Sequence, residues 1–441
     1  MDWRAEYNRK LCTAEEAAAR IRSHDTVALG HAMSEPGYLV DALCRHCGHL
    51  EDVKIIHAVS YGENPYCRPG MERHFSFNGM FLGPNTRECV AAGRGDYTPI
   101  CVSEMPLLFR SGTVPVTAAM VMMSRPDENG YCYVGVASDF TMEIMRQAKT
   151  VIAECNDQVP RTCGDNYIHV SELDCIVETS HRIPEVQPIA VTDTERAIAR
   201  YVSDLIEDGS TLQVGIGGIP NAIMGLMKNK RNLGIHSEMI SDWIVELTES
   251  GVINGREKTL YPGKSIATFV MGTKTVYDYV DRNPSIAIYE ADFVNNPAVI
   301  ARNRKMVAVN ACTEVDLFGQ IASETAGGRQ VSGSGGQLDF FRGANAGFDG
   351  AGKSIIAIRS TYTDREGRVH SRIRPWLEEK TVVTTGRNDI GYVVTEYGAA
   401  PLRWQSAQTR ARNLIRVAHP DFRDELIEAF ERHFKTRYPK Y

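Results

Sequence analysis

The sequence predicts an α/β protein made of two tandem, related domains, each with an open and largely parallel sheet. Three observations carry this prediction: a length of 441 residues, an internal repeat, and apolar runs that alternate with amphipathic segments. Because a chain of this length exceeds one ordinary hydrophobic core, two cores of about 200 residues each are expected. Ligands of such sheets bind at the carboxyl ends of the strands, so we expect the active site between the domains.

The internal repeat relates residues 21–30 (IRSHDTVALG) to residues 206–215 (IEDGSTLQVG), with an offset of 206 − 21 = 185 residues. A Thr-x-x-Glu capping-box pattern begins the helix ahead of each segment, at Thr13 and at Thr192. Each segment predicts a tight turn and a short apolar strand that ends in glycine, followed by a proline-containing loop and another helix. The same α/β unit therefore occurs twice in the chain, which indicates two related domains.

The domain boundary is expected in the stretch 183–190 (IPEVQPIA), where two prolines interrupt any helical pattern. This gives a first domain at 1–185 and a second domain, which carries the candidate nucleophile, at 186–441. In both, apolar runs of strand length alternate with amphipathic segments, which predicts largely parallel sheets with helices on their faces. The runs outside the repeat are 118–123, 150–153, 286–289, 306–309, 354–358 and 381–384.

The composition, with 43% hydrophobic and 24% charged residues, is typical of a globular protein. The formal net charge of −6 is spread without long blocks of one sign, which argues against a nucleic-acid partner and against a membrane surface. The sequence has no apolar signal core and no run of bilayer-spanning length. We therefore expect a cytoplasmic protein.

Eleven cysteines, an odd number, are scattered without framework spacing, which in an intracellular chain predicts reduced thiols and no disulfide. The one local cluster, residues 44–49 (CRHCGH), has Cys-x-x-Cys spacing and two histidines. A second ligand pair at matching spacing is missing, and the cluster follows a predicted helix, on which both thiols would share a face. No metal site is therefore predicted.

A glycine-rich loop directly follows the second repeat strand and opens a helix. Its glycines would let the backbone approach a ligand, and free amides at a helix start suit an anionic or oxyanionic group. A dinucleotide fingerprint would need a third glycine where Pro220 stands, so a Rossmann-type site is not predicted. Packing explains any one glycine, but less readily three within four positions. The loop residues are Gly215, Ile216, Gly217, Gly218 and Ile219.

A second glycine-rich loop spans residues 332–339 (SGSGGQLD). Ser334 has immediate glycine neighbours, whereas a nucleophile elbow needs glycines two positions away on either side, so a serine nucleophile is not predicted. Backbone amides that hold an oxyanion or a thioester carbonyl fit this loop better.

Glu238 lies between the two loops in the chain, where a strand-like start at 233–235 runs into a helix predicted at 242–250. Such transitions are where α/β enzymes hold reactive groups. From its position alone, however, Glu238 is explained more simply as a helix-capping carboxylate.

Four segments together resemble one known family: His-Ser-Glu-Met at 236–239, the two glycine-rich loops, and Val-Thr-Glu-Tyr-Gly at 394–398. The combination resembles the acetyl-CoA hydrolase/transferase branch of the class I CoA-transferases, and within it the chain is most similar to 4-hydroxybutyrate CoA-transferases. The resemblance covers essentially the whole chain. It implies two tandem CoA-transferase domains and assembly as a homodimer or a larger homo-oligomer.

The resemblance also implies a function, in which Glu238 becomes the covalent glutamyl-CoA thioester of a ping-pong CoA transfer between short-chain carboxylic acids. It implies 4-hydroxybutyrate or butyrate with acetyl-CoA as substrates. Acetate and dicarboxylates such as itaconate or succinate stay open as acids, because one methylene changes selectivity by only ~1–3 kcal/mol. The 215–219 loop would contact CoA, and Gly335 and Gly336 would line the CoA and oxyanion site. CoA and acyl-CoA are then substrates, and no tightly bound cofactor is expected. An acyl-CoA hydrolase is the alternative activity, and a noncatalytic CoA-binding regulator is the alternative from another class.

Side chains at strand ends and in residues 30–36, the loop that follows the first repeat strand, are further candidates for binding the substrates. His31, Glu35 and Tyr61 are candidates for binding a substrate hydroxyl, and each is equally well explained as structural. Asn310, which follows a predicted strand, is a candidate CoA contact, and Asn388 is a candidate substrate contact.

Overall fold

The structure, a computed structural model, describes residues 2–439, in which helices and strands alternate along the chain. The helices are α1 (Trp3–Lys10), α2 (Ala14–Ala18), α3 (Gly37–Arg45), α4 (Pro84–Ala91), α5 (Met105–Arg110), α6 (Thr141–Gln147), α7 (Asp193–Leu205), α8 (Gly218–Leu226), α9 (Trp243–Glu249), α10 (Lys274–Val280), α11 (Ala291–Val294), α12 (Pro297–Ile300), α13 (Gln337–Asn345), α14 (Ala407–Val417) and α15 (Arg423–Phe434). Within these described residues, no helix has the length and apolar character to cross a membrane.

The strands divide between the two halves of the chain. Those of the first half are β1 (Thr26–Leu29), β2 (Val53–His57), β3 (Phe75–Gly79), β4 (Gly95–Tyr97), β5 (Ala118–Met123), β6 (Tyr131–Tyr133), β7 (Thr150–Asn156), β8 (Cys163–Gly164), β9 (Tyr167–His169) and β10 (Cys175–Thr179). Those of the second half are β11 (Thr211–Val214), β12 (Gly234–Ile235), β13 (Met239–Ile240), β14 (Ser265–Ala267), β15 (Phe269–Val270), β16 (Ile286–Ile288), β17 (Met306–Asn310), β18 (Glu314–Asp316), β19 (Ile321–Ala322), β20 (Thr325–Ala326), β21 (Arg329–Gln330), β22 (Lys353–Ala357), β23 (Thr361–Thr363), β24 (Val369–Ser371), β25 (Ile373–Arg374), β26 (Tyr392–Thr395) and β27 (Gly398–Pro401).

Each half builds one large sheet. The first has seven parallel strands in the order β10-β7-β5-β1-β2-β3-β4, with Val27 of β1 opposite Ile55 of β2 and Ala118 of β5. The second has six strands in the order β12-β11-β17-β22-β26-β27, all parallel except the edge strand β27. Strands β1 and β5 are buried along their whole length, as expected of a parallel sheet covered on both faces. The predicted α/β class with two largely parallel sheets is confirmed.

The two repeat segments form the corresponding strands β1 and β11 of the two sheets. The helix ahead of each strand is closed by a capping box, at Thr13 for α2 and at Thr192 for α7. Helix α3 follows a loop that ends at Pro36. Helix α8 begins earlier than predicted, so Pro220 lies in its first turn rather than in the loop, and its missing N–H there leaves no helical hydrogen bond unmade.

Five of the six apolar runs predicted outside the repeat are strands, namely β5, β7, β16, β17 and β22. The prediction of a strand at 381–384 is wrong. The Thr384 N–H donates to the Ile321 carbonyl (2.8 Å) and the Val382 N–H to the Thr325 hydroxyl (3.1 Å), which are single bonds rather than a ladder. Val382 is also exposed, so this run lacks the packed face that stabilises a strand.

The two halves share packing as well as ion pairs. Met33 of the first half belongs to one buried cluster with Leu212 of the second. Strand β8 pairs with β16 of the second half, and Arg110 forms an ion pair with Asp292 (3.0 Å). Residues 180–192, which connect the two large sheets, carry no helix or strand. These contacts hold the sheets together on either side of the predicted boundary at 185.

Cys12 and Cys175 are joined by a disulfide, which corrects the expectation that all the cysteines are reduced. The Cys12 N–H donates to the Ile176 carbonyl (2.9 Å), and Leu11 forms a β-bridge with Ile176, so the chain ahead of α2 runs beside β10. This pairing brings together two cysteines 163 residues apart in sequence, at a Cα–Cα distance of 6.7 Å. Cysteine spacing carries no signal of such a contact.

Candidate active site

A cleft of about 440 Å³ lies between the two halves. Residues that follow β1 and β2 line one wall, and residues at the ends of β11 and β17 line the other. The segment around Glu238 and the 332–339 loop complete the lining. The cleft therefore lies where parallel sheets bind ligands, at the carboxyl ends of their strands.

Glu238 lies between β12 and β13, and the neighbouring strand holds its backbone. Its carbonyl accepts hydrogen bonds from the N–H groups of Thr268 (2.9 Å) and Phe269 (3.1 Å). Its side chain is half-buried and lines the cleft, where Asn295 Nδ2 donates to Oε2 (2.7 Å). Because Asp242 occupies the N-cap of α9, the interpretation of Glu238 as a helix-capping carboxylate is wrong.

The pKa of the Glu238 carboxyl is raised to about 7, chiefly because burial disfavours its ionised form. The nearby Asp339 carboxylate raises the pKa further, whereas hydrogen bonds from Asn295 and from the Gly336 N–H lower it. Asp339 is itself held by the N–H and the hydroxyl of Ser103 of the first half (3.0 and 2.8 Å). The Glu238 carboxyl therefore titrates near neutral pH, and perturbed pKa values of this kind cluster at functional sites.

Gly336 lies directly against the Glu238 carboxylate because it has no side chain. A Cβ at this position would overlap both Glu238 Oε2 and Asn295 Nδ2. Its neighbour Gly335 also lines the cleft. The loop thus leaves room for the carboxylate and brings the Gly336 N–H beside it, and a backbone donor of this kind suits a site for a developing oxyanion.

Gly215 and Ile216 bring the first glycine-rich loop to the cleft. Among residues 2–439, no atom lies within 4 Å of the position that a Cβ of Gly215 would take, so this part of the chain does not require glycine there. Ile216 also borders a second groove of about 580 Å³, whose walls include Pro188 of the connecting segment and Trp243 of α9. Ile216 therefore belongs to the walls of both cavities.

The other three residues of this loop serve the helix that it opens. Gly217 has a φ of +118° at the N-cap of α8, a conformation that favours glycine. Gly218 packs against α7, where a Cβ would overlap the Glu195 carboxylate. Ile219 packs against the hydrophobic core. The structure places none of these three residues in the cleft lining: Gly217 borders the second groove, and packing explains Gly218 and Ile219.

Asn310 lies at the end of β17 and lines the cleft. Its side-chain amide exchanges two hydrogen bonds with that of Gln213 on β11, at 3.0 and 3.4 Å. Gln213 also lines the cleft and was not predicted to do so. A polar side chain near the end of a buried apolar strand is the sequence signal that indicates it.

His31 and Tyr61, two candidates for binding substrate, line the cleft. His31 is buried, and its ring contacts the ring of Phe269 edge-on, with centroids 5.2 Å apart. Burial, with a smaller contribution from His57, lowers the pKa of His31 to about 3, so the imidazole is neutral. The Tyr61 hydroxyl donates to Met271 Sδ (3.3 Å).

Glu35 and Asn388, the other two candidates, do not belong to the cleft lining. Glu35 is buried and accepts hydrogen bonds from the Ser60 hydroxyl (2.5 Å) and the Gly62 N–H (2.9 Å), so its carboxylate organises the loop after β2. Asn388 is exposed. It follows the segment 381–384, and because no strand forms there, no strand end carries Asn388 to the cleft.

Three more polar residues at the site escape sequence reasoning. Arg87 of α4 is exposed and lines the rim of the cleft, and a single cation on a helix has no distinguishing pattern. Asp139 lines the inner wall from the turn before α6. Asn295, the hydrogen-bond partner of Glu238, is 57 residues away from it in sequence. Only the folded chain brings these groups to one place.

Comparisons with known proteins match this chain over most of its length. Residues 1–188 match the acetyl-CoA hydrolase/transferase N-terminal domain, and residues 272–430 match the acetyl-CoA hydrolase/transferase C-terminal domain. The chain is 49% identical to the 4-hydroxybutyrate coenzyme A transferase of Clostridium kluyveri, over 98% of this chain and 100% of that protein. It is 42% identical to the succinyl-CoA:cyclohexane-1-carboxylate CoA transferase of Geobacter metallireducens, over 97% of this chain and 96% of that protein. A crystal structure of 4-hydroxybutyrate CoA-transferase from Porphyromonas gingivalis is similar with a TM-score of 0.85 and 38% identity, over 98% of this chain and 100% of that chain.

Proposed function

Since the chain belongs to the acetyl-CoA hydrolase/transferase family and is an enzyme that transfers CoA between carboxylic acids, we propose that Glu238 is its nucleophile and carries CoA as a glutamyl thioester. The observation that supports this role most directly is the position of the carboxylate. It lines the cleft, accepts a hydrogen bond from the Asn295 side chain, and lies against Gly336, which has no side chain to cover it.

A carboxylate suits this reaction because its adduct with an acyl group is an anhydride, which a thiolate reopens. In the proposed cycle, Glu238 attacks the carbonyl of the donor acyl-CoA, the C–S bond breaks, and CoA leaves as thiolate. The thiolate attacks the glutamyl carbonyl of the anhydride, the donor acid leaves as carboxylate, and the Glu238 thioester remains. An acceptor carboxylate then attacks this thioester, and the same steps run in reverse to give the new acyl-CoA and free Glu238.

Each tetrahedral intermediate of this cycle places negative charge on an oxygen beside Glu238. The Asn295 amide already bonds to the carboxylate, and the Gly336 N–H, which lowers the pKa of this carboxylate, lies beside it, so both are candidates to hold that charge. One preorganised donor of this kind is worth about 3 kcal/mol of transition-state stabilisation. The raised pKa of Glu238 contributes as well, because a more basic carboxylate is a better nucleophile once it is ionised.

Water decides between transfer and hydrolysis, because it would open the anhydride or the thioester to free acid. The cleft between the halves, with the apolar side chains of Phe269, Met105 and Leu82 in its lining, favours transfer by limiting water at the reacting carbonyl. Acyl-CoA hydrolysis stays the alternative activity. The noncatalytic regulator is not retained, because the relatives matched over nearly the full chain are transferases.

The substrates of the proposed cycle are acetyl-CoA and 4-hydroxybutyrate or butyrate. The near-full-length similarity to a 4-hydroxybutyrate transferase supports this choice. For CoA itself, we assign Gly215, Ile216, Gly335 and Asn310 as contacts, since all four line the cleft with Glu238. Assembly as a homodimer or a larger homo-oligomer is part of the proposal, and light scattering after gel filtration measures it.

Chemical trapping tests the role of Glu238. The enzyme is incubated with acetyl-CoA and then treated with borohydride, which reduces a glutamyl thioester to the alcohol. The peptide containing Glu238 should lose the mass difference between a carboxyl and a primary alcohol, as measured by mass spectrometry. An unmodified peptide from enzyme that still transfers CoA would overturn the proposal.

Two controls accompany the trapping experiment. Enzyme treated with borohydride without acetyl-CoA should keep its Glu238 mass. Glu249→Ala changes an exposed glutamate on α9, and this variant should be modified at Glu238 to the same extent as the original protein. Modification at another glutamate in place of Glu238 counts against the assignment.

A further inference from the structure

The inner wall of the cleft holds a carboxyl group that the proposed cycle does not use. Asp139 lies in the turn before α6, and only 2% of its surface is exposed. Its Oδ1 accepts a hydrogen bond from the Phe140 N–H (2.6 Å). Its Oδ2 has no hydrogen-bond partner among residues 2–439, although it belongs to a residue that lines the cleft.

A second polar atom without a partner lies nearby. His31 lies beside Asp139, with 3.9 Å between His31 Nε2 and Asp139 Oδ2. The other ring nitrogen of His31, Nδ1, has no hydrogen-bond partner within the described chain. Buried polar atoms normally have a partner, because burying one without a hydrogen bond is costly. Asp139 and His31 both line the cleft, so a hydroxyl group of a ligand bound there is a candidate for the missing partner.

Two aromatic rings pack against His31, and apolar side chains form part of the cleft lining. The rings of Phe140 and Phe269 contact His31 edge-on, and Ala58, Leu82 and Val102 also line the cleft. Phe269 is also the residue whose N–H bonds to the Glu238 carbonyl (3.1 Å), so this wall adjoins the proposed nucleophile. An acyl group bonded at Glu238 would therefore have its hydrocarbon chain against this apolar wall.

The charges of the pair restrict the ligand further. Burial first, and the Glu238 and Glu290 carboxylates next, raise the pKa of Asp139 to about 8, so its carboxyl is protonated at neutral pH. His31 is neutral because burial lowers its pKa. Both groups can then donate and accept hydrogen bonds, and neither supplies the positive charge that a second carboxylate would need.

We propose that Asp139 and His31 form a specificity subsite that binds an uncharged hydroxyl at the far end of the acyl group. The subsite would favour an ω-hydroxycarboxylic acid over the unsubstituted acid of the same chain length, and both over a dicarboxylate. This inference rests on the proposed function, because it places the reacting carboxyl at Glu238 and the hydroxyl at Asp139.

Competition between acceptors tests the subsite. With acetyl-CoA as donor, kcat/KM is measured for 4-hydroxybutyrate, butyrate and succinate. The original protein should prefer 4-hydroxybutyrate to butyrate. In Asp139→Ala the ratio of the first kcat/KM to the second should fall by roughly tenfold to hundredfold, since the substrate hydroxyl loses a buried partner. Asp139→Asn, which keeps a donor and an acceptor, should retain more of the ratio than Asp139→Ala.

The controls separate this inference from the proposed function. Asp278→Ala changes an exposed aspartate on α10 and should leave the substrate ratio as it is. If Asp139→Ala does not fold, the kcat/KM values of the original protein still test the inference. A preference for butyrate or succinate over 4-hydroxybutyrate would overturn the subsite. An unchanged ratio in Asp139→Ala would overturn it as well. Failure of borohydride trapping at Glu238 would instead count against the nucleophile.

Discussion

Glu35 and Glu238 are two carboxylates with similar surroundings and different accessibility. Each lies close to a glycine, Gly62 for the first and Gly336 for the second, and burial raises the pKa of both. Glu35 accepts hydrogen bonds from a hydroxyl and a backbone N–H and stays outside the cleft lining, whereas Glu238 lines the cleft. Burial and a raised pKa are therefore common to a structural and a candidate reactive carboxylate, and access to the cleft distinguishes them.

The glycines that end the two repeat strands, Gly30 and Gly215, also differ in the space around them. Gly30 ends the first repeat strand, and a Cβ on it would lie 2.6 Å from the Ser34 carbonyl oxygen, because residues 30–34 fold back on themselves and are buried. Gly215 ends the second repeat strand, and a Cβ on it would meet open space. In the first copy the glycine is packed inside a buried loop that still brings His31 to the cleft, whereas in the second copy the glycine borders open space.

Replacing each of the two carboxylates by alanine tests their different roles and should give the largest effects. Glu238→Ala should lower kcat for CoA transfer by at least ~10³-fold, because the nucleophile is lost. Its free energy of unfolding should fall less than that of Glu35→Ala, because removing a carboxyl whose pKa is raised by burial offsets the hydrogen bond that Asn295 loses. Glu35→Ala should lower the free energy of unfolding by about 1–3 kcal/mol, because the Ser60 hydroxyl and the Gly62 N–H lose a buried acceptor. Steady-state kinetics and urea unfolding measure the two outcomes.

The distinction would fail if both variants lost the same stability, or if Glu238→Ala kept its transfer activity. Glu249→Ala serves as the matched control, since this exposed glutamate should affect neither kcat nor unfolding.

Alanine at the two repeat glycines should give an intermediate effect. Gly30→Ala should lower the free energy of unfolding by about 1–3 kcal/mol, because the Ser34 carbonyl is backbone and cannot rotate away from the added methyl. Gly215→Ala should leave the free energy of unfolding unchanged within about 0.5 kcal/mol and raise the KM for acyl-CoA. Urea unfolding and initial-rate kinetics check the pair, and equal destabilisation would contradict the open character of the second loop.

The pH dependence should give the smallest effect. Because Glu238 attacks only when ionised and its pKa is about 7, kcat/KM for acyl-CoA should fall about tenfold from about pH 8 to about pH 6. For stability the sign is opposite. The folded protein binds this proton more tightly than the unfolded chain, whose carboxyl keeps its ordinary pKa of 4.5, so stability is lost as the pH rises through about 7.

Asn295→Ala tests whether the pH profile reports the ionisation of Glu238, because Asn295 stabilises the ionised form of this carboxyl. The midpoint of the pH profile of kcat/KM should move to higher pH in this variant. Gly30→Ala should leave the midpoint where it is, since the first repeat loop does not bond to Glu238. A shift of the midpoint to lower pH in Asn295→Ala would contradict the assigned hydrogen bond.

Much of the fold is predictable because its signals are local. The capping boxes at Thr13 and Thr192, strand β5 and helix α9 each follow from patterns within about ten residues. The run at 381–384 has the same local character as β5 and yet forms no strand. Strand formation also needs a partner and a packed face, and an apolar run by itself reports neither.

The candidate site is predictable only in part. The glycine-rich loops are visible in the sequence, but Glu238 is singled out by family resemblance, because spacing alone favours a helix cap. Glu35 is a plausible ligand-binding residue by sequence position, and only its bonds to the loop after β2 show its structural use. Asn295 and Asp139 have no local signal at all.

The sequence by itself determined the α/β class, the duplicated unit and the positions of the two glycine-rich loops, because these features depend on the order of neighbouring residues. Only the tertiary structure decided that Glu238 lines the cleft beside Gly336, that Glu35 does not, and that Cys12 meets Cys175. The physical reason is that burial and hydrogen bonding are set by groups far apart in the chain. Ser103 and Asp339, for example, bond across a separation of 236 residues.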